Sequence, residues 1–303
     1  MSATELGRGE GAGAGTLPPS PGRLAWRRTW RHGSFRVGGG IIAIILAVAV
    51  FAPFLTPYDP TLQDLSHRYI GPVWSARGTW VHPLGTDQLG RDCLARLMYG
   101  GRISLLIGVV TVLISGLIGT SAGIAAGYWR GTVDLVVNFI VTIRLALPVV
   151  LVALVVAAMV GGSLPVLMLV VGLLLWDRFA IVVRSATLQL ADRDFVTAAR
   201  AIGSSTPRIL LREILPNLTG PLIVVASVEF AHAILLEAAL SFLGLGVQPP
   251  RFTWGLMVAE AKSQLLFRPY LIAAPGLALV LLIFAVNLVG DAVRDATAPE
   301  GRA

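Results

Sequence analysis

The sequence predicts an all-α polytopic membrane protein of six transmembrane helices, and three observations carry that prediction. Only 14% of its 303 residues are charged and 55% are hydrophobic, where a soluble domain carries about 25% charged residues; mean hydropathy is +0.77. The shortage is concentrated: residues 37–58, 103–129, 145–176 and 269–290 contain no Asp, Glu, Lys or Arg. Each run is long enough to cross a hydrocarbon core, which takes roughly 20 apolar residues as a helix. The run 145–176 is too long for one crossing, and Gly161-Gly162-Ser163-Leu164-Pro165 divides it into two.

The elements follow in order. Residues 1–22, rich in Gly, Ala, Pro and Ser, cannot bury a core and read as disordered. Arg23-Leu24-Ala25-Trp26-Arg27-Arg28-Thr29-Trp30-Arg31-His32 then places cations and tryptophans beside the first apolar run, which suits the headgroup zone. A cleaved signal peptide competes for this region, but the apolar run continues to Leu55 and favours an uncleaved helix over 38–55. The chain divides into a tail (1–37), a first span (38–57), a Gly/Pro-punctuated loop (58–102), a transmembrane unit of five helices (103–292) and a short tail (293–303). The loop is expected to end in an amphipathic interfacial helix over 87–99, with Leu94, Leu97 and Met98 on the membrane surface.

The second helix is expected over 103–128, where Gly119, Gly123 and Gly127 put small residues on one face for close helix approach. The third is expected over 134–160 with a kink at Pro148, and the fourth over 164–183. After a polar segment (184–217), the fifth is expected over 221–243 and the sixth over 270–289. Basic residues fix the orientation: sixteen of the 24 lie in the two tails, the 2–3 turn and the 4–5 segment, and eight on the opposite side. The positive-inside rule puts both termini and the 4–5 segment in the cytoplasm.

Several function classes drop out. The net charge of +7 sits beside the spans rather than in an aromatic-laced stripe, so it does not mark a nucleic-acid binder. The one lysine, in Ala261-Lys262-Ser263, lacks the glycines of a phosphate-binding loop, so this chain cannot hydrolyse ATP by that route. The single Cys93 excludes an intrachain disulfide and reads as a small packed residue. A metal site from His67, His82 and Asp87 lacks ligand spacing on a regular element.

The 4–5 segment is the most informative. Asp194 is a plausible N-cap and Gly203 a C-terminal stop for a short helix. Phe195, Ala198, Ala199 and Ile202 fall at i, i+3, i+4 and i+7, one apolar face. Thr206-Pro207 opens a second short helix expected to end before Pro216. Both are under the roughly 12–15 residues at which an isolated helix becomes marginal, so the apolar face must dock on lipid, on the bundle or on a partner.

The stretch Thr197-Ala198-Ala199-Arg200-Ala201-Ile202-Gly203, with Ile214-Leu215-Pro216-Asn217 after it, resembles the cytoplasmic loop of binding-protein-dependent ABC importer permeases. Three further motifs narrow the resemblance to the C-type subunit of the dipeptide/oligopeptide (peptide/nickel) transport family. They are His82-Pro83-Leu84-Gly85-Thr86-Asp87-Gln88-Leu89-Gly90-Arg91-Asp92; Glu237-Ala238-Ala239-Leu240-Ser241-Phe242-Leu243-Gly244-Leu245-Gly246 with Gln248-Pro249-Pro250 and Trp254; and Asn287-Leu288-Val289-Gly290-Asp291 with Arg294-Asp295. Thr197 stands where the family often has Glu, and Glu213 where it commonly has His.

The resemblance implies a type I ABC importer permease fold in the bacterial plasma membrane and a non-enzymatic subunit that binds no cofactor, ATP and Mg being used by a partner ATPase. It implies a second homologous permease, two ATP-binding subunits and an external solute-binding protein as partners, with di- or oligopeptides, nickel or another small solute as cargo. It makes 185–217 the coupling segment, with Asp194, Phe195, Thr197, Ala198, Ala199, Arg200, Ile202, Gly203, Glu213, Pro216 and Asn217 as the residues that meet the ATPase. Polar groups inside spans are costly and face the bundle interior or a water-filled path, which makes Glu229, His232, Glu237 and Asn287 candidates for the substrate route. A proton relay through Glu229, His232 and Glu237 would instead suit a secondary carrier, but the repeats common in such carriers are not visible. A membrane scaffold without transport is the third class.

Overall fold

The computed structural model describes residues 29–30, 32–76, 78–161 and 163–297. The tail expected over 1–22, Arg23 to Arg28, Arg31, Arg77, Gly162 and the last six residues lie outside the described set. The described residues form helices and turns, with two isolated bridges and no strand. Four helices are long and apolar enough to cross a membrane alone, and two bent pairs bring the number to six if each pair is one span. All are helical because a crossing segment must satisfy its backbone polar groups within itself.

The first helix, α1 (Gly33–Leu55), begins five residues before the expected position. It lies along the last helix, where a Cβ on Gly38 would stand 2.6 Å from Ala285 O. The interfacial helix expected over 87–99 does not form as a separate element. Residues 87–92 are loop, and from Cys93 the chain runs into one 37-residue helix, α2 (Cys93–Trp129). The reason is local: Gly90 holds a φ of +74°, which breaks the helical path, and Asp92 caps the helix by accepting from Ala95 N at 2.6 Å. Cys93 is buried with Ala261 and Leu271.

The third span is broken rather than kinked. α3 (Gly131–Ala146) and α4 (Val149–Val160) meet at 84°. Pro148 forces its predecessor Leu147 into an extended conformation (ψ 126°), which ends α3. The fourth span, expected as one helix ending at 183, is α5 (Leu164–Leu174) followed at 40° by α6 (Asp177–Ala191). Helix therefore runs on through the first part of the expected polar segment.

α7 (Asp194–Ala201) is the short helix expected at this point, with Arg193 rather than Asp194 in the capping position. The second short helix does not stop at Pro216. It continues as one 37-residue helix, α8 (Thr206–Phe242), through a π segment (Ile209–Ile214) and a 3-10 segment (Leu215–Leu218). These changes of pitch re-register the hydrogen bonds around a residue that has no N–H. α9 (Trp254–Ala261) was not expected as a helix, and α10 (Tyr270–Thr297) extends eight residues beyond 289.

Packing joins these elements in layers. α2 and α6 touch along the expected small-residue face. A Cβ on Gly123 would lie 2.7 Å from Ala180 O, and one on Gly127 2.7 Å from Thr187 Cβ, while Gly119 abuts Trp176 O and Phe179. One apolar cluster (Ile107, Leu167, Val171, Ala233, Leu236, Leu240) joins α2, α5 and α8. Another (Ile234, Trp254, Met257, Leu279, Leu282) joins α8, α9 and α10. Large apolar side chains such as Leu113, Leu117, Leu135 and Phe139 remain on the outside of the spans, where lipid or another transmembrane chain covers them.

Candidate functional site

The loop between α1 and α2 is held by a buried ionic lattice. Asp87 accepts from Arg91 Nε (2.7 Å) and Arg96 Nη1 (2.6 Å), and both arginines reach Glu260 of α9 through their Nη2 atoms (2.9 and 2.7 Å). His82 Nδ1 pairs with Asp92 at 2.8 Å, whereas His67 pairs with Asp64 at 2.6 Å. The three residues weighed as metal ligands thus have separate partners, and no group of three ligating side chains converges among the described residues. The motif spanning 82–92 builds a rigid platform. Arg96 and Glu260, which complete it, were not singled out from the sequence, although a charge in each apolar context was the available signal.

The opposite end carries α7. Its chain reversal is a Schellman motif: Gly203 N donates to Arg200 O (3.0 Å), Ser204 N to Ala199 O (3.0 Å), and Gly203 holds a φ of +79°. The apolar face expected from the sequence is split. Ala199 packs with Val196, Val183, Ile209, Ile214 and Leu218 against the chain's own helices. Phe195, Ala198 and Ile202 point outward, Ile202 being 82% exposed. Among the polar residues of the segment, Asp194 stands exposed in the first turn, Thr197 Oγ1 donates to Arg193 O at 3.4 Å, and Arg200 lies 5.0 Å over the Tyr128 ring. Glu213 is half-buried, its carbonyl accepting from Asn217 Nδ2 (2.6 Å), and Pro216 and Asn217 are exposed. The structure thus leaves a small apolar face (Phe195, Ala198, Ile202) above a packed foundation.

A third arrangement lies within the bundle, where both broken spans meet α8. Arg144 Nη2, near the end of α3, donates to Leu174 O, the carbonyl freed where α5 stops, and lies 3.4 Å from Asp177 at the start of α6. Next to it Arg178 Nε stands 3.4 Å from Glu229 Oε1, and Arg178 Nη1 3.2 Å from His232 Nδ1. These groups border an open cleft of about 250 Å³ walled by Val149, Leu235 and Leu236 among others. Glu229 and His232 thus share a cleft. Glu237 and Asn287 do not border it. Glu237 is buried and accepts from Ser241 Oγ and Thr253 Oγ1 (both 2.7 Å), tying α8 to the cap of α9. Asn287 sits half-buried on α10. Asp177 and Arg178 were not among the expected route residues, and their position beside the break between α5 and α6 was invisible because that break itself was.

Broken spanning helices around a charged cleft, with a short amphipathic helix projecting at one end, fit a membrane transport permease. Residues 119–301 match the family described as binding-protein-dependent transport system inner membrane component, and residues 20–72 match the N-terminal TM domain of oligopeptide transport permease C. The chain belongs to the binding-protein-dependent transport permease family.

Among its relatives is the di/tripeptide transport system permease protein DppC of Pseudomonas aeruginosa, 38% identical over 283 residues and 93% of each chain. The dipeptide transport system permease protein DppC of Escherichia coli K12 is 39% identical, over 94% of this chain and 95% of that one. The glutathione transport system permease protein GsiD of Pectobacterium atrosepticum is 36% identical, over 93% and 92%. In structure, the chain is similar to an inward-facing MetNI methionine ABC transporter, with a TM-score of 0.54 at 19% identity over 67% of this chain and 96% of that one. That likeness establishes the type I importer permease fold.

Proposed function

We propose that this chain is one permease subunit of an ATP-driven importer of di- or oligopeptides, with both termini and α7 in the cytoplasm. The observation that carries the substrate class is identity of 34–39% over more than nine-tenths of the chain to dipeptide permeases. The split face of α7 supports the energy coupling. Val196 and Ala199 fix the helix to the bundle, so force applied at Phe195, Ala198 and Ile202 passes into α6 and α8. A helix of eight residues gains its stability from packing, not propensity, and its outer face is matched to a protein groove rather than to water.

In this reading a second homologous permease completes the pathway, two ATP-binding subunits hold one α7 from each permease, and an external solute-binding protein delivers the peptide to the 56–92 platform. ATP and Mg belong to the ATPase subunits, and this chain binds no cofactor. Closure of the ATPase pair shifts the equilibrium between inward- and outward-facing states through contacts that differ between them. Uptake of a labelled dipeptide by cells expressing the complete transporter tests the proposal. Uptake should cease when ATP is depleted with the proton gradient intact, and persist when the gradient is collapsed with ATP present. The opposite pattern would establish a proton-coupled carrier. Uptake of nickel but not peptide would move the substrate class within the same family.

A further inference from the structure

We propose that Arg178 is a transit site for the C-terminal carboxylate of the translocated peptide, held open by Glu229 and His232. The inference rests on the peptide importer reading and adds what the pathway recognises. Of the two arginines beside the cleft, Arg144 is committed, bonded to Leu174 O and paired with Asp177. Arg178 is not. Its side chain is 52% exposed, Nε stands 3.4 Å from Glu229, Nη1 faces the His232 ring, and no described residue accepts from Nη2. Guanidinium groups present donors in a planar fork that matches a carboxylate.

Glu229 supplies an independent observation. Its side chain is 1% exposed and Oε1 receives no completed hydrogen bond, although Arg178 and His232 stand 3.4 and 3.6 Å away. A buried carboxyl left in this state stands beside the arginine without taking a hydrogen bond from it. Nη2 stays free for a second anion, in a cleft walled by apolar side chains such as Leu235 and Leu236 and by the Arg144–Asp177 pair. The cleft volume, about 250 Å³, lies below the roughly 300–1,000 Å³ of drug-sized ligand sites, so the cleft takes a peptide terminus rather than a whole peptide. An exchange in which Arg178 leans from Glu229 to the peptide and back provides binding loose enough for transit.

The test pairs the peptide carboxylate with the arginine. The assembled transporter with its binding protein, in proteoliposomes, takes up labelled dialanine or its C-terminal amide. The ratio of the two rates is compared between the native chain, R178Q, and R178C before and after reaction with a cationic thiol reagent. The binding protein's own selectivity is common to every arm and cancels in the comparison. The only native thiol, Cys93, is buried. The expected result is a native preference for the free acid that falls roughly tenfold or more in R178Q and R178C and returns on cationic labelling. A preference unchanged in R178Q, or in unlabelled R178C should R178Q not assemble, overturns the site. If the native transporter takes up neither peptide, the peptide reading has failed and the site falls with it.

Discussion

Replacing Gly203 tests how the α7 turn transmits force. The residue sits at a φ of +79° in a Schellman motif, and a Cβ built there meets nothing within 4 Å. Steric conflict within the chain is therefore absent, and the cost of a side chain is the backbone cost alone. For an ordinary L residue in the left-handed region that is about 1–2 kcal/mol. Asn, which visits this region readily, escapes most of it, and a β-branched residue such as Val meets more than Ala. The eight residues of α7 have little stability of their own, so the cost appears as a smaller fraction of chains with the outer face correctly presented. Apparent docking affinity falls with that fraction, by at most about 5–30-fold for 1–2 kcal/mol. In an uptake assay normalised to permease in the membrane, Gly203→Asn should stay near the native rate, Gly203→Ala should fall, and Gly203→Val should fall further. If activity instead follows side-chain bulk, with Asn as damaging as Val and Ala harmless, the turn conformation is not what matters. Native uptake in all three would show that the left-handed turn has no part in coupling.

Other outcomes follow from the packing. Gly123→Leu should lower the thermal midpoint in detergent, because its Cβ would lie 2.7 Å from Ala180 O and 2.9 Å from Val183 Cβ; overpacking costs about 1–3 kcal/mol, while Gly39→Leu, where nothing lies within 4 Å, should leave the midpoint unchanged. Arg96→Ala removes a buried guanidinium from Asp87 and Glu260. Breaking such a pair costs about 3–5 kcal/mol, and hydrogen exchange over 56–92 should rise. Glu237→Gln should transport normally, since an amide oxygen still accepts from Ser241 and Thr253, whereas Glu237→Leu should destabilise by about 1–3 kcal/mol for each hydroxyl left unpaired; loss of uptake in a stable Glu237→Gln protein would restore a pathway role.

The small-residue face of α2 was legible because three glycines at four-residue spacing suffice to specify close approach, whatever the partner. The turn at Gly203 was legible for the same local reason. The breaks were not. Pro148 announced a kink, but an 84° bend depends on Leu147 becoming extended and on Arg144 reaching the carbonyl that α5 leaves free. No Pro or Gly marks Leu175 and Trp176, so that break is fixed by side chains distant in sequence. Pro216 read as a helix end because sequence alone does not reveal a π segment that absorbs it. Periodicity found an apolar face on α7 but could not apportion it. Val196, outside the expected pattern, takes the inner side, and Phe195 and Ile202 are left outside.

Energy coupling as proposed requires the outer face of α7 to meet an ATPase subunit inside the cell, and a thiol placed on that face reports the contact. The chain carrying Ile202→Cys, with native Cys93 buried in the bundle, is assembled into its complex and treated with a short bifunctional thiol reagent. A cross-link to the ATP-binding subunit is expected, with a yield that changes when ATP binds, and none from Val196→Cys, whose position is buried. Labelling of the introduced thiol by an impermeant reagent added outside intact cells, with no cross-link to the ATPase, would contradict the coupling role.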